Sequence, residues 1–292
     1  MTERLAGMDG ERRIWLVCNA ASGSNRDETL RALEQCCGEH GLRVAHGTVF
    51  PERDLPTPAV LDAADIDLVA VFAGDGTINA LLGQLAGWAG AVLVLPGGTM
   101  NLLYHRLHGE SVMEEVIARA ARGQANRHRP GIIRTATGDG YAGVLVGPGT
   151  AWNAVREAMR EYDVLEIAGG AGEAISETLE GEQVACIEPP LGRREGYPLL
   201  MLTPYDDGIE VAAFYAETLG EYLQQTVALV KRNFRDGPHD ILGKVDRLRV
   251  AGARGGRFGV LIDGEPGASG SEVEFALAPC EVDLLATAAD GR

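Results

Sequence analysis

Apolar residues along this chain fall into two textures. In the first, short continuous apolar runs alternate with stretches in which apolar residues recur every three or four positions. Residues 14–19 (Ile-Trp-Leu-Val-Cys-Asn) read as a buried strand. A small-residue loop, Ala20-Ala21-Ser22-Gly23-Ser24, follows; Asn25 with Glu28 suits a helix cap, and Leu30, Leu33 and Cys37 then recur at helical spacing. A second strand is expected near 42–49, and Pro51, Pro56 and Pro58 mark a loop before a short helix around 58–64. Apolar runs over 69–73 and 92–95 supply two more strands, each passing through glycines into a helical pattern opened by a threonine, Thr77 or Thr99. Met113, Val116, Ile117 and Ala120 mark a further helix ending near Gly123. Strands alternating with helices up to about residue 125 predict a doubly wound parallel sheet, with ligands at the carboxyl ends of its strands.

After Arg129-Pro130-Gly131 the texture changes. Short strand-like runs follow at 131–136, 141–147, 183–188, 198–203, 209–215, 245–251, 257–263 and 272–278. Turn residues such as Asp206-Asp207-Gly208 and Asp263-Gly264 separate most of them, which predicts an antiparallel β-sandwich. Helical insertions are expected near 151–162 and 217–234, and Ala168-Gly169-Gly170-Ala171-Gly172 reads as a flexible stretch. The predicted fold is therefore α/β, with a doubly wound domain over 12–129 and a β-rich domain over 130–280. A last strand over 281–287 is free to return to the first domain.

Composition narrows the function classes. The net charge of −16 argues against nucleic acid and gives no general attraction to anionic lipid, so any membrane contact must be local. The helical pattern over 217–234, with Leu219, Tyr222, Leu223, Val227 and Val230 on one side and Lys231, Arg232 and Arg235 at its end, suits either docking on a bilayer or packing on a sheet. No apolar run approaches the ~20 residues of a spanning helix, and the N-terminal residues lack a signal-peptide pattern. Five cysteines without C-x-x-C spacing read as reduced core residues, which suits a cytoplasmic protein. A homodimer is compatible with the sequence.

The candidate chemistry lies in two glycine junctions, Ala73-Gly74-Asp75-Gly76-Thr77-Ile78-Asn79 and Pro96-Gly97-Gly98-Thr99-Met100-Asn101. Glycine lets a backbone come close to a ligand, and a helix start carries unpaired N–H groups and partial positive charge suited to phosphate. Two such junctions on neighbouring strands predict a site for a polyphosphate held by converging amides. Asp75 repels phosphate and must meet magnesium or a ribose hydroxyl instead. Asn19 and Thr48, near the ends of the first two strands, are within reach of such a nucleotide. There is no G-x-x-x-x-G-K-[ST] loop, no G-x-S-x-G elbow and no H-E-x-x-H, and His105 and His108 read as satisfied or exposed rather than as zinc ligands.

These motifs, in this order, resemble the catalytic domain of the diacylglycerol kinase and sphingosine kinase family of lipid kinases. The likeness runs over about residues 13–286. It rests on Asn19-Ala20-Ala21-Ser22-Gly23, the two junctions, Asp207-Gly208-Ile209-Glu210-Val211 and Asp263-Gly264-Glu265. The resemblance implies two domains with ATP and magnesium in the cleft between them and a lipid alcohol as acceptor, at the inner surface of the membrane. It implies nucleotide contacts from Asn19, Ser22, Gly23, Thr48, Gly74, Asp75, Gly76, Thr77, Asn79, Gly97, Gly98, Thr99 and Asn101. It selects Glu265 as general base, although Asp-Gly is also a common hairpin turn, and assigns Asp75 a catalytic role. It further implies a structural magnesium on Asp207 and the carbonyls of Pro204 and Ile209, with Asp206 a rival ligand.

The chain departs from that pattern. Ala73 replaces the first glycine of the signature, Ala20 replaces a proline, and Leu102 stands where many relatives have aspartate. Arg129-Pro130-Gly131 lacks the aspartate often found at the start of the second domain. A catalytically silent nucleotide- or lipid-binding regulator would show the same departures. An NAD kinase shares the first glycine loop, but its T-P-T-G-S-T-A-Y run has no counterpart here.

Overall fold

The computed structural model describes residues 12–19, 26–147, 181–214, 240–267 and 269–288. Outside them lie the loop Ala20–Ser24 with its candidates Ser22 and Gly23, the cap residue Asn25, the expected insertions at 151–162 and 217–234, and the stretch 168–172. The chain divides into two compact units, Met1–Pro130 with Cys280–Arg292, and Gly131–Pro279.

The first unit contains β1 (Arg12–Asn19), α1 (Arg26–Glu39), β2 (Leu42–Phe50), α2 (Pro58–Ala63), β3 (Leu68–Ala73), α3 (Asp75–Gln84), β4 (Ala91–Pro96), α4 (Leu102–His108), α5 (Met113–Ala121) and β5 (Asn126–His128). To these the chain adds β18 (Asp283–Ala286) from its far end. Its sheet runs β2-β1-β3-β4-β18-β5, parallel throughout except for the last pair. Helices on both faces require strands that are apolar on both sides. Accordingly Leu68–Val71 and Ala91–Leu95 have no exposed surface. Each such valine or leucine contributes about 1.5–3 kcal/mol relative to exposure. Local signals set the helix starts: Thr57 caps α2, accepting from the Val60 N–H at 3.4 Å, and Pro58 takes the first helical position. On α5 the buried residues Val116, Ile117 and Ala120 form the apolar stripe expected from their spacing.

The second unit is entirely β-stranded among its described residues. Its strands are β6 (Gly131–Arg134), β7 (Asp139–Gly140), β8 (Val144–Gly147), β9 (Val184–Glu188), β10 (Pro190–Leu191), β11 (Leu199–Tyr205) and β12 (Gly208–Phe214). They continue with β13 (Asp240–Val245), β14 (Arg247–Gly252), β15 (Gly259–Ile262), β16 (Glu265–Pro266) and β17 (Glu272–Pro279). Two antiparallel sheets result, ordered β10-β9-β14-β17-β6-β7 and β13-β12-β11-β8-β15-β16. They share one core: Ile133, Cys186, Leu248, Val250 and Phe275 of the first pack with Val146, Leu202, Val211, Phe258 and Val260 on the side of the second. The α/β reading thus holds as a mainly parallel sheet accompanied by antiparallel sheets.

Three sequence expectations are corrected in detail. The strand expected over 141–147 begins only at Val144, because the N–H groups of Tyr141, Ala142 and Gly143 turn onto the Asp263 carboxylate instead of a ladder. Thr99 does not open a helix: residues 98–100 form a turn and α4 begins at Leu102. Thr77 does not cap α3 either; Gly74 holds that position with no side-chain bond, and Thr77 lies within the first turn. Strands β5 and β13 have no apolar run to announce them, since Asn126-Arg127-His128 is polar and β13 is an edge strand with exposed Asp240 and Ile241.

Candidate functional site

Register creates the candidate site of the first unit. Strands β3 and β4 pair from Leu68 with Ala91 to Ala73 with Pro96, so they end level. The two glycine turns therefore emerge side by side, and the backbone is packed there without room for side chains. A methyl added at Gly97 would lie 2.4 Å from the Ala73 nitrogen, and one at Gly98 would lie 2.6 Å from the Gly74 Cα. At Gly74 the same addition would make only an ordinary 3.7 Å contact. Glycine is thus required on the β4 side by close approach. Ala73, at the signature's first glycine, is a fully buried strand residue, so its methyl sits in the core and not in the turn.

The amides of the turns are partly committed within the protein. Gly97 donates its N–H to the Ala73 carbonyl at 3.3 Å, and Thr77 donates to the Gly74 carbonyl at 3.0 Å. Asn101, in the left-handed region at φ 50°, closes the second turn: its Oδ1 accepts from the Gly98 N–H at 2.8 Å and its Nδ2 donates to the Gly98 carbonyl at 2.9 Å. The expectation that every amide of both turns points at one ligand is therefore narrowed. The N–H groups that open α3 after its cap residue Gly74 are those of Asp75 and Gly76, at the positive end of the helix.

Side chains at the same strand ends tie the turns together. Asn19, at the end of β1, donates from Nδ2 to Thr77 Oγ1 at 2.8 Å. A hydroxyl that accepts in this way still has its own hydrogen to donate. Asp75 is almost buried, and its Oδ1 accepts from the Leu103 N–H in the first turn of α4 at 3.4 Å. One carboxylate thus links the helices that follow both junctions, which sequence spacing did not reveal. Gly76 and Thr99 are exposed, and Asn79 is half-buried one turn further along α3.

Thr48 does not join this group. It pairs with Val17, two residues before β2 ends, and its buried hydroxyl accepts from the Trp15 indole at 2.9 Å, with His46 stacked on Trp15.

In the second unit, Asp263 and Gly264 form the two-residue connection between β15 and β16, at φ 48° and 84°, with Ile262 paired to Glu265. Glu265 is exposed at the start of β16. Asp207 lies in the β11–β12 hairpin, where Pro204 pairs with Ile209. Its Oδ1 accepts from Lys244 Nζ at 2.7 Å, and that hydrogen bond holds its carboxyl below the ordinary value. Asp206 Oδ1 accepts instead from the Gly131 N–H at 3.0 Å. Among the described residues no group of three or more His, Cys, Asp or Glu side chains could hold a metal ion.

His108 is buried, with Nδ1 2.9 Å from Thr287 Oγ1 and Nε2 3.2 Å from the Val94 carbonyl, while His105 is half-exposed. All five cysteines are free thiols and only Cys36 is not buried; burial pushes Cys37 and Cys186 up to about 12. No described helix is long and apolar enough to cross a membrane.

Comparison with known proteins agrees with this arrangement. Residues 13–133 match the family model described as the diacylglycerol kinase catalytic domain, a stretch that holds both glycine turns. The resemblance to lipid kinases of the diacylglycerol kinase type is thus borne out. A diacylglycerol kinase structure from Bacillus anthracis str. Sterne is similar at 14% identity and a TM-score of 0.61, covering 97% of this chain and 100% of that one. A second structure from the same organism, provisionally named a diacylglycerol kinase, is similar at 15% identity and a TM-score of 0.60, covering 98% and 99%. At such identities the likeness is one of fold. No curated protein matches the chain.

Proposed function

We propose that this chain is an ATP-dependent lipid kinase, transferring the γ-phosphoryl group of Mg-ATP to the hydroxyl of a lipid alcohol such as a diacylglycerol, a sphingoid base or a ceramide. The observation that carries the reading is the contact between the two glycine turns, where the backbone at Gly97 and Gly98 lies against Ala73 and Gly74 beside the start of α3. Methyl groups there would strike the backbone of the neighbouring turn, and the helix start beside the two turns suits phosphate.

In this reading the amides of Asp75 and Gly76 and the hydroxyl of Thr77 hold phosphate oxygens, with Asn19 donating to the Thr77 hydroxyl. Gly97, Gly98, Thr99 and Asn101 form the neighbouring wall, and Ser22, Gly23, Thr48 and Asn79 remain outer candidates. Magnesium, when bound, neutralises phosphate charge, and Asp75 offers it a hard oxygen ligand. A structural magnesium at Asp207, Pro204 and Ile209 belongs to the same reading and requires Lys244 to yield the carboxylate. Glu265 accepts the acceptor's hydroxyl proton while the oxygen bonds to phosphorus and the bond to the ADP oxygen breaks. Such proton transfer contributes typically 10²–10⁴-fold in rate. The setting is peripheral, at the inner membrane surface, with contact confined to a local patch because the chain carries a net charge of −16.

The test offers γ-labelled ATP and magnesium to the protein with a mixed lipid extract. A labelled organic-soluble product is expected, and mass spectrometry of it identifies the acceptor. Glu265→Gln should lower turnover about 10²–10⁴-fold, to a residual rate that labelled product still reads, while ATP still raises the melting temperature, because stabilisation follows occupancy and not chemistry. Nucleotide binding with no labelled lipid from any extract would replace the kinase by a binding regulator.

A further inference from the structure

The carboxylate of Asp263 occupies a pocket of backbone amides that no hairpin needs. Its Oδ2 accepts from the Tyr141 N–H at 2.7 Å, and its Oδ1 accepts from the N–H groups of Ala142 and Gly143, both at 2.8 Å. In return, the Asp263 N–H donates to the Gly143 carbonyl at 3.0 Å. The residue is only 4% exposed, so these bonds form in a low-dielectric setting where a carboxylate gains most from them. The same residue is the first of a two-residue turn with both central φ angles positive, a connection that favours Asn-Gly as well as Asp-Gly. The turn alone therefore does not account for aspartate. Three amide donors do, because a neutral asparagine presents one oxygen to them and turns an NH₂ toward the remaining N–H.

Two residues further on stands Glu265, on an exposed two-residue edge strand that, among the described residues, pairs with β15. A two-residue strand takes its placement from the turn that leads into it. The fixed point nearest to it in the chain is the buried Asp263 anchor.

We infer that Asp263 is the positioning residue for Glu265: its carboxylate, locked by the amides of residues 141–143, sets where the hairpin presents the general base. This rests on Glu265 being the base of the proposed reaction. Asp263 touches no reacting atom and transfers no proton.

The test is a cycle of turnover measurements on the full chain with Mg-ATP and the lipid that gives labelled product. Asp263→Asn keeps the turn preference and removes the anchor. It is expected to lower kcat about 10–100-fold, the scale of an ångström-sized misplacement, with the KM for ATP within about twofold. Asp263→Gly, the residue best suited to positive φ, should behave alike and serves if the asparagine variant does not fold. In the Glu265→Gln background neither change should lower the residual rate further, whereas a purely structural loss would add to it. If Glu265→Gln falls to its residual rate but folded Asp263→Asn and Asp263→Gly turn over at the normal rate, positioning by Asp263 is overturned and the base assignment stands. If Glu265→Gln itself keeps normal turnover, the base assignment falls and Asp263 has no base to position.

Discussion

At the scale of single residues, the β4 turn is built on distance rather than on backbone angle. Gly97→Ala and Gly98→Ala place a methyl 2.4–2.6 Å from the backbone of the neighbouring turn, which cannot give way as a flexible side chain does. Each should destabilise the first unit by about 1–3 kcal/mol, as overpacking does, and weaken ATP binding. Gly74→Ala, with a 3.7 Å contact and φ near −76°, should fall within about 1 kcal/mol of the parent. Denaturant unfolding of the three variants checks this asymmetry. His108 makes a second residue-scale case. Burial, the larger influence, lowers its pKa from 6.5 to about 4. With its neutral ring donating to the Val94 carbonyl and accepting from Thr287, the folded protein takes up a proton only near pH 4, while the unfolded chain does so near 6.5. Its contribution is thus fully present above pH 6.5 and lost as pH falls toward 4, by up to about 3 kcal/mol. Urea unfolding across that window should show a shallower pH slope in His108→Gln than in the parent.

At the scale of elements, β18 matters out of proportion to its four residues. It fills the gap between β4 and β5, so a segment near the end of the sequence completes the sheet that carries both glycine turns. Leu284, with no exposed surface, pairs with both neighbours. Leu284→Ala should cost about 2–5 kcal/mol and expose the first unit to limited proteolysis before the second. Elements with strong local patterns were legible in the sequence: β3 and β4 as continuous apolar runs, α2 from its flanking prolines, α5 from its apolar stripe. The gathering of Asn19, Gly74, Thr77 and Gly98 was legible too, because strand ends followed by glycines in an α/β pattern fix where loops emerge. What escaped depends on contacts distant in sequence. The Asp263 anchor joins residues some 120 positions apart, and it stops the strand expected from Tyr141 onward. Asp75 reaches α4 across 28 positions, and Asn101 takes an amide expected to face a ligand. Thr48 looked available because strand spacing does not reveal that an indole from the next strand holds its hydroxyl. In each case a local pattern names the residue type, and tertiary geometry decides which partner it meets.

At the scale of the whole molecule, the two units divide the proposed labour. The first carries the glycine turns and nearly all of the region matching the diacylglycerol kinase catalytic domain, and the second carries Glu265 on its anchored hairpin. Phosphate binding and proton removal should therefore separate under mutation: Asp75→Ala weakens ATP binding, and Glu265→Gln leaves it intact. The central claim is that the amides opening α3, beside the turn after β4, receive the phosphates of ATP. Titration of nitrogen-labelled protein with Mg-ATP, followed through its backbone amide resonances, tests this most directly. The largest shifts should fall on Asp75, Gly76 and Thr77, with Gly98 and Thr99 next. Saturating binding that leaves these five amides unmoved and shifts another surface would contradict it.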